Sequence, residues 1–182
     1  MASASNRPTP KLPKLRRSRV LKRLESRGIS YEPVQYKHFP YIWAAAKRGV
    51  FEIGEATAEE FKGELSRMLA DLMEKGGAGY IGLAKKDGRD IPICLCLIEF
   101  QQNRAYPSVW WFPEASARNR IELGVKFLIE LKAEFLVLFP VDRAKEREVA
   151  YFLHLCKYGL IRKVGTIREY FPGGKAWLFQ SV

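Results

Sequence analysis

A polar turn between an apolar strand and a helix is the part of this sequence best suited to bind an anion. It lies in FPEASARNRIELGVKFL, residues 112–128. The first N–H groups of a helix have no partner inside the helix, and the helix dipole is positive at that end. A phosphate could therefore bind there, with Arg118 and Arg120 as additional charges. Glu122 places a carboxylate in the same stretch, which would oppose such binding.

The cysteines and histidines do not form a pattern typical of a metal site. Cys94 and Cys96 are two residues apart on a predicted strand, so they share one face and are poorly placed to bond each other. The remaining thiol is Cys156, and the histidines are His38 and His154. This set lacks the closely spaced ligands that zinc needs, so we predict no metal. An odd number of thiols suits a reducing compartment.

The positive charge is concentrated at the N-terminus. Residues 1–28 contain nine Lys or Arg side chains and one carboxylate, which gives +8 of the net charge of +11. We predict a basic arm that is disordered unless bound. It could contact nucleic acid independently of base sequence, order against neighbouring protein subunits, or remain a solvated tail. The candidate contact residues are Lys11, Lys14, Arg16, Arg17, Arg19, Lys22 and Arg23.

The rest of the chain has the composition of one globular domain. The apolar fraction is 47% and the aromatic fraction 13%, which argues against a mainly disordered protein. No apolar run reaches the roughly 18–20 residues needed to cross a bilayer, and the N-terminus lacks the apolar segment of a signal peptide. We predict a domain over residues 29–182, located in the cytoplasm or in a virion assembled in the host cytoplasm.

Local patterns predict the order of elements after the arm. The order is strand, two helices, three antiparallel strands, helix, strand, helix and two strands. The first strand is predicted over ISYEPVQYK, residues 29–37. Thr57 and Glu60 form a capping box at the start of the second helix. The Asp87-Gly88 pair is typical of a hairpin turn. The run FLVLFPV is continuous in apolar residues, which indicates a strand covered on both faces.

This order resembles the GCN5-related N-acetyltransferase (GNAT) fold over roughly residues 30–182. The resemblance rests on the turn at residues 113–124, on the apolar strand and the helix ending CKYG, and on the closing hairpin ending WLFQ. It implies an α/β (α+β) fold with a mixed, mostly antiparallel central sheet flanked by helices. The basic arm lies outside anything that the family requires.

The resemblance also implies how a cofactor would bind. In the family, the turn has the pattern Gln/Arg-x-x-Gly-x-Gly/Ala, and its amides bind the pyrophosphate of acetyl-CoA. With Gly124 at the last position, Glu122 replaces the first glycine. Two unit charges about 4 Å apart repel by about 4 kcal/mol at an effective dielectric constant near 20. We therefore predict no cofactor, with acetyl-CoA as the alternative. In that alternative the binding residues are Arg118, Asn119, Arg120 and Gly124.

Two catalytic candidates follow from the same resemblance. Many family members carry a tyrosine four residues before the glycine that ends the last helix, and Leu155 occupies that position here. The adjacent His154 is the candidate acid, and Glu99, at the end of the third strand, is the candidate base. Each also has a structural interpretation: His154 could be a histidine on a helix surface, and Glu99 could be a carboxylate that faces water.

Two functions remain open at this stage. One is an N-acetyltransferase acting on an amine. The other is a catalytically silent domain of the same fold that acts as a structural or interaction protein through its basic arm. Compact proteins with altered loops and basic arms are similar to accessory proteins of tailed bacteriophages, including ones packaged in the particle. We favour the second function.

Overall fold

A computed structural model describes residues 28–171 and 174–182 of the chain. The seven cations predicted to contact a partner lie outside this part. The strands are β1 (Ile29–Pro33), β2 (Ala78–Lys86), β3 (Arg89–Gln101), β4 (Arg104–Trp111), β5 (Leu136–Asp142), β6 (Ile161–Phe171) and β7 (Gly174–Ser181). The helices are α1 (Phe39–Ala46), α2 (Ala58–Glu74), α3 (Ala117–Leu131) and α4 (Glu146–Lys157), with a 3-10 turn at Tyr36–His38.

The strands form one sheet in the order β1-β2-β3-β4-β5-β7-β6. Neighbouring strands run antiparallel except for β4 and β5, which are parallel. Helices α1 and α2 pack on one face of the sheet, and α3 and α4 pack on the other. This mixed, mostly antiparallel sheet flanked by helices confirms the fold predicted from the sequence.

Alternating side chains along β3 divide the core into two parts. Leu95 and Leu97 pack with α1 and α2, whereas Cys94 and Cys96 pack with α3 and α4. The two thiols therefore share one face, as predicted. Burial raises the pKa of Cys94 to about 12 and that of Cys96 well above its usual value. Both groups are consequently protonated at neutral pH.

Two local signals in the sequence have the predicted structures. At the start of α2 the Thr57 hydroxyl accepts from the Glu60 amide at 3.3 Å, and the Glu60 carboxylate accepts from the Thr57 amide at 2.8 Å. In the β2–β3 hairpin, Asp87 and Gly88 have φ angles of 52° and 76°. A two-residue hairpin turn of this type requires that left-handed backbone at both positions.

The first strand is shorter than the pattern predicted. The sequence indicated a strand over residues 29–37, but β1 ends at Pro33 and the chain enters the 3-10 turn. The buried ring of His38 organises this turn. Its Nδ1 accepts from the Gln35 amide at 2.9 Å, so Nε2 carries the proton and donates to the Glu32 carboxylate at 2.7 Å.

Within residues 28–171 and 174–182, no helix combines the length and the apolar composition needed to cross a membrane. The same residues contain no group of three or more His, Cys, Asp or Glu side chains placed to hold a metal ion.

Candidate active site

The sheet has a discontinuity between its two parallel strands. Strands β4 and β5 are paired only at Arg104 with Leu136 and at Ala105 with Val137. Beyond these pairs β4 continues to Trp111 and β5 to Asp142 without further pairing between them in the described chain. The sheet is therefore two halves joined at one end of a split.

The split leaves main-chain groups of β4 without strand partners on one side. From Tyr106 to Trp111, β4 is paired with β3 along its other edge. Strand β5 is paired likewise with β7 along its far edge. Backbone N–H and C=O groups seek partners wherever they are shielded from water. A ligand that carries amides could pair with β4 here, as an added strand does at a sheet edge.

The N-terminus of α3 lies just beyond the open end of β4. Ser116 caps the helix, because its hydroxyl accepts from the Asn119 amide at 3.1 Å and its carbonyl accepts from the Arg120 amide at 3.0 Å. The amides of Ala117 and Arg118 precede the first intrahelical bond, so they point out of the helix end. Arg118, Asn119 and Arg120 thus lie together at an end of the helix that suits an anion.

Glu122 lies deeper in α3 and is paired. Its carboxylate accepts from the Arg118 Nε at 3.0 Å, and its side chain is only 12% exposed. The predicted repulsion assumed a carboxylate beside the phosphate-binding amides without a counter-charge. In the structure Glu122 follows the capped first turn, and Arg118 offsets its charge. That repulsion therefore does not follow from the observed geometry.

Gly124 is also inside α3, where it faces α4. A Cβ added at Gly124 would lie 2.2 Å from the Tyr151 hydroxyl oxygen. That hydroxyl donates to the Arg120 carbonyl at 3.3 Å, so Tyr151 bridges α4 to the first half of α3. Burial raises the pKa of Tyr151 far above its ordinary value, which keeps the phenol protonated. The glycine is thus required by the close approach of Tyr151.

Sequence reasoning did not identify Tyr151 as part of this site, although a signal was present. Tyr151 precedes the buried Leu155 by four residues on α4, and residues at this spacing share a helix face. The face was predictable, but the element against which it packs was not.

A cleft of about 680 Å³ lies between α2 and the strands β3 and β4, on the sheet face opposite α3. Met68 and Trp110 supply apolar contact, and three carboxylates of the lining attract cations. The charged lining residues are Glu64, Arg67, Asp71, Lys75 and Glu99. The cleft can therefore accept a ligand with an apolar chain and a positive charge.

The candidate base Glu99 lies in this cleft. It pairs across the sheet with Tyr106, which follows the last residue of β4 that is paired with β5. Adjacent strands are about 4.8 Å apart, so Glu99 is one strand away from the closed end of the split. The structure thus brings this carboxylate close to the point where a ligand in the split and a ligand in the cleft would meet.

The candidate acid His154 is placed elsewhere. It lies on α4, on the opposite face of the sheet from Glu99, and its ring packs edge-on against Tyr158 at 5.0 Å. The structure does not bring His154 and Glu99 together. The candidate cofactor-binding residues Arg118, Asn119 and Arg120 lie at a third location, at the start of α3 beside the open end of the split.

No protein-family model and no curated relative matches this sequence. Solved structures with the same fold do match. Spermidine N-acetyltransferase from Vibrio cholerae, in complex with CoA and spermine, has a TM-score of 0.63 at 12% identity and covers 84% of this chain and 94% of its own. Ribosomal-protein-alanine N-acetyltransferase from Brucella melitensis has a TM-score of 0.58 at 12% identity and covers 84% and 99%.

A third match is FdhC, a nucleotide-linked sugar GNAT, with a TM-score of 0.64 at 10% identity over 85% of this chain and 86% of its own. At these identities the likeness establishes the fold, which is GNAT-like. A silent site and a place in a phage particle remain predictions.

One prediction from the sequence is wrong. We predicted that the chain has no cofactor, and that prediction depended on repulsion by Glu122. A matched acetyltransferase of the same fold was solved with CoA bound, and the Glu122 carboxylate is ion-paired with Arg118.

Proposed function

We propose that this chain is an acetyl-CoA-dependent N-acetyltransferase with an amine acceptor. The observation that carries the proposal is the split between β4 and β5, which opens toward the capped N-terminus of α3. A cofactor with amides along its length and phosphates at one end matches these two features. The solved structures of this fold that match the chain include N-acetyltransferases, which supports the same conclusion.

The residues present fit acetyl-CoA in charge and in hydrogen bonding. The free amides of Ala117 and Arg118 would hold its diphosphate, and Arg120 would add positive charge. The unpaired edge of β4 would hold the amides of its pantetheine arm. When bound, acetyl-CoA supplies an acetyl group activated as a thioester.

The acceptor amine would enter the cleft between α2 and β3–β4. An amine is protonated at neutral pH, and it must lose a proton before its nitrogen can act as a nucleophile. The cleft carboxylates Glu64 and Asp71 attract the cation, and Glu99 accepts the proton beside the closed end of the split. General-base catalysis of this kind contributes about 10²–10⁴-fold to the rate.

The assay is release of CoA thiol from acetyl-CoA in the presence of a panel of primary amines. We expect Glu99→Gln to lower kcat by about 100-fold or more. Glu134→Gln, an exposed carboxylate at the other end of α3, is the matched control and should leave kcat unchanged. Equal activity of the two variants would remove Glu99 from the reaction. Absence of thiol release with every amine would remove the enzymatic proposal itself.

The alternative function is the structural one, a domain of this fold without turnover, located in a phage particle. One observation favours it: the buried Leu155 occupies the helix position at which the resemblance implies a catalytic tyrosine. In that proposal the arm with Lys14, Arg16 and Arg17 contacts nucleic acid or neighbouring subunits. Removal of residues 1–28 would then abolish co-assembly without affecting the melting temperature of the domain.

A further inference from the structure

The outer strands β6 and β7 carry a surface with an excess of positive charge. From Ile161 to Phe171 and from Gly174 to Ser181 the sequence has four cations and one acidic residue, Glu169. Arg168 pairs with Lys175 across the two strands, and Thr166 pairs with Trp177, so these four residues share one face. We call this face, with Lys163 and Arg143, the β6–β7 surface.

Trp177 holds two of the cations of this surface in place. The Lys163 ammonium lies 3.4 Å from the centre of the indole ring, and the Arg143 guanidinium lies 5.8 Å from it. Cations are attracted to the face of an aromatic ring, most strongly to tryptophan. The two charges are therefore gathered over one side chain and are ordered before any ligand arrives.

The cations of the β6–β7 surface lack ion pairs within the described part of the chain. Lys37, Arg48, Lys85 and Arg118 each have a carboxylate within ion-pair distance. Among the described residues, no ion pair reaches the four exposed cations of this surface. They are Arg143, Lys163, Arg168 and Lys175.

One carboxylate lies at this surface. Asp142 lines one depression with Arg143 and Lys175, and its Oδ1 accepts from the Ala144 amide at 2.9 Å. Four cations against this one carboxylate leave the described surface positively charged, and a bound polyanion would offset the repulsion between the cations.

We infer that the β6–β7 surface binds the phosphate backbone of a nucleic acid without reading base sequence. Paired strands place successive side chains of one face about 6–7 Å apart, so the cations form an extended row rather than a single pocket. A row of cations gains affinity for a polyanion by releasing its counter-ions. The Thr166 hydroxyl adds a hydrogen-bond donor of the kind that contacts phosphate oxygens.

A protein partner fits this surface less well. Protein interfaces are centred on apolar or aromatic anchors that become fully buried. Among the described side chains of this surface the aromatic one is Trp177, and Lys163 already covers its ring. Trp177 therefore orders cations instead of offering an apolar anchor.

The test is binding of a labelled mixed-sequence oligonucleotide, as single strand and as duplex, to the full chain over a range of salt concentrations. The variant carries Lys163→Gln, Arg168→Gln and Lys175→Gln together. The control carries Lys86→Gln, Arg89→Gln and Arg104→Gln, which are exposed cations of the other half-sheet, two beside the β2–β3 turn and one at the start of β4. Both variants lose three charges and keep the basic N-terminal segment. Any difference in binding between them therefore reflects where the lost charges lie.

We expect the β6–β7 variant to bind duplex more weakly than the control. The slope of log K against log salt should fall by up to about 2.7, because each lost phosphate contact removes about 0.9. Equal affinity and equal slope in the two variants would overturn the inference, as would absence of binding at low salt. If poly-glutamate binding fell in the β6–β7 variant while oligonucleotide binding did not, an acidic protein would be the partner and the inference would be wrong. Acetyl-CoA binding is measured separately, so a failure to bind acetyl-CoA would leave the oligonucleotide test unaffected.

Discussion

Tyr151 and Gly124 set the distance between α3 and α4. The tyrosine hydroxyl is held by the Arg120 carbonyl, and a side chain at Gly124 would occupy the space of that hydroxyl. The next nearest atom to such a Cβ is the ring carbon Cζ of Tyr151, at 3.5 Å, which is an ordinary contact distance. One oxygen atom therefore decides whether a side chain is tolerated at Gly124.

We expect Gly124→Ala to destabilise the protein by about 1–3 kcal/mol, the usual cost of forcing a group into a packed site. In a Tyr151→Phe background the same substitution should be neutral or stabilising by up to about 1 kcal/mol, because alanine favours a helix over glycine. The measurement is denaturant unfolding of the four proteins of this double-mutant cycle. An equal cost in both backgrounds would show that the hydroxyl contact does not constrain Gly124.

The Glu32 carboxylate gives a residue-level test by pH. Its hydrogen bond from Lys37, and next that from His38, lowers its pKa below the ordinary value of 4.5. A lowered pKa in the folded state stabilises the fold above the unfolded-state pKa, and this contribution is lost as the pH falls through the folded-state value.

We therefore expect Glu32→Gln to be less stable than the parent protein at pH 7. The difference should shrink as the pH falls below about 4.5, where Glu32 becomes protonated in the unfolded chain, and should vanish below its lower folded-state pKa. The unfolding midpoints of both proteins, measured between pH 7 and pH 3, check this. A difference that is constant over the whole range would mean that the charge of Glu32 has no role.

At the scale of elements, the capping box determines the first residue of α2, the helix that forms one wall of the cleft. We expect Thr57→Ala to cost about 1 kcal/mol, since the Glu60 amide loses its acceptor and the Glu60 carboxylate loses the hydroxyl donor, while the backbone amide of residue 57 still donates to it. In a domain of this size that lowers the melting temperature by roughly 2–4 °C. Ser66→Ala, at an exposed position within α2, is the control and should not lower it. Equal melting temperatures of the two variants would exclude a stabilising cap.

Elements that depend on local chemistry were predictable from the sequence. The α2 cap and the Asp87-Gly88 turn need only neighbouring residues, and both are present in the structure. The pairing of Arg118 with Glu122 was also within reach, because residues four apart on a helix are neighbours.

Features that depend on tertiary packing were not predictable. Tyr151 is 27 residues from Gly124 in sequence, and only the fold brings them into contact. His38 is buried because β1 ends early and the chain folds back on Glu32. The cleft around Glu99 needs α2 and two strands at once. Sequence periodicity gives the buried face of each element but not its partner.

At the scale of the whole molecule, two half-sheets meet at a short parallel ladder. The larger half, with β1 to β4, carries the cleft on one face and α3 on the other. The smaller half, with β5 to β7, carries the cations around Trp177. In the proposed enzyme, the split between the halves holds the cofactor and the cleft holds the acceptor.

Calorimetric titration of the full chain with acetyl-CoA tests this arrangement most directly. We expect binding of one cofactor per chain. A ligand at 100 times its Kd stabilises the folded state by about 2.7 kcal/mol, so the melting temperature should rise with cofactor concentration. The absence of both binding heat and a rise in melting temperature at millimolar acetyl-CoA would contradict the proposal that the split is a cofactor site.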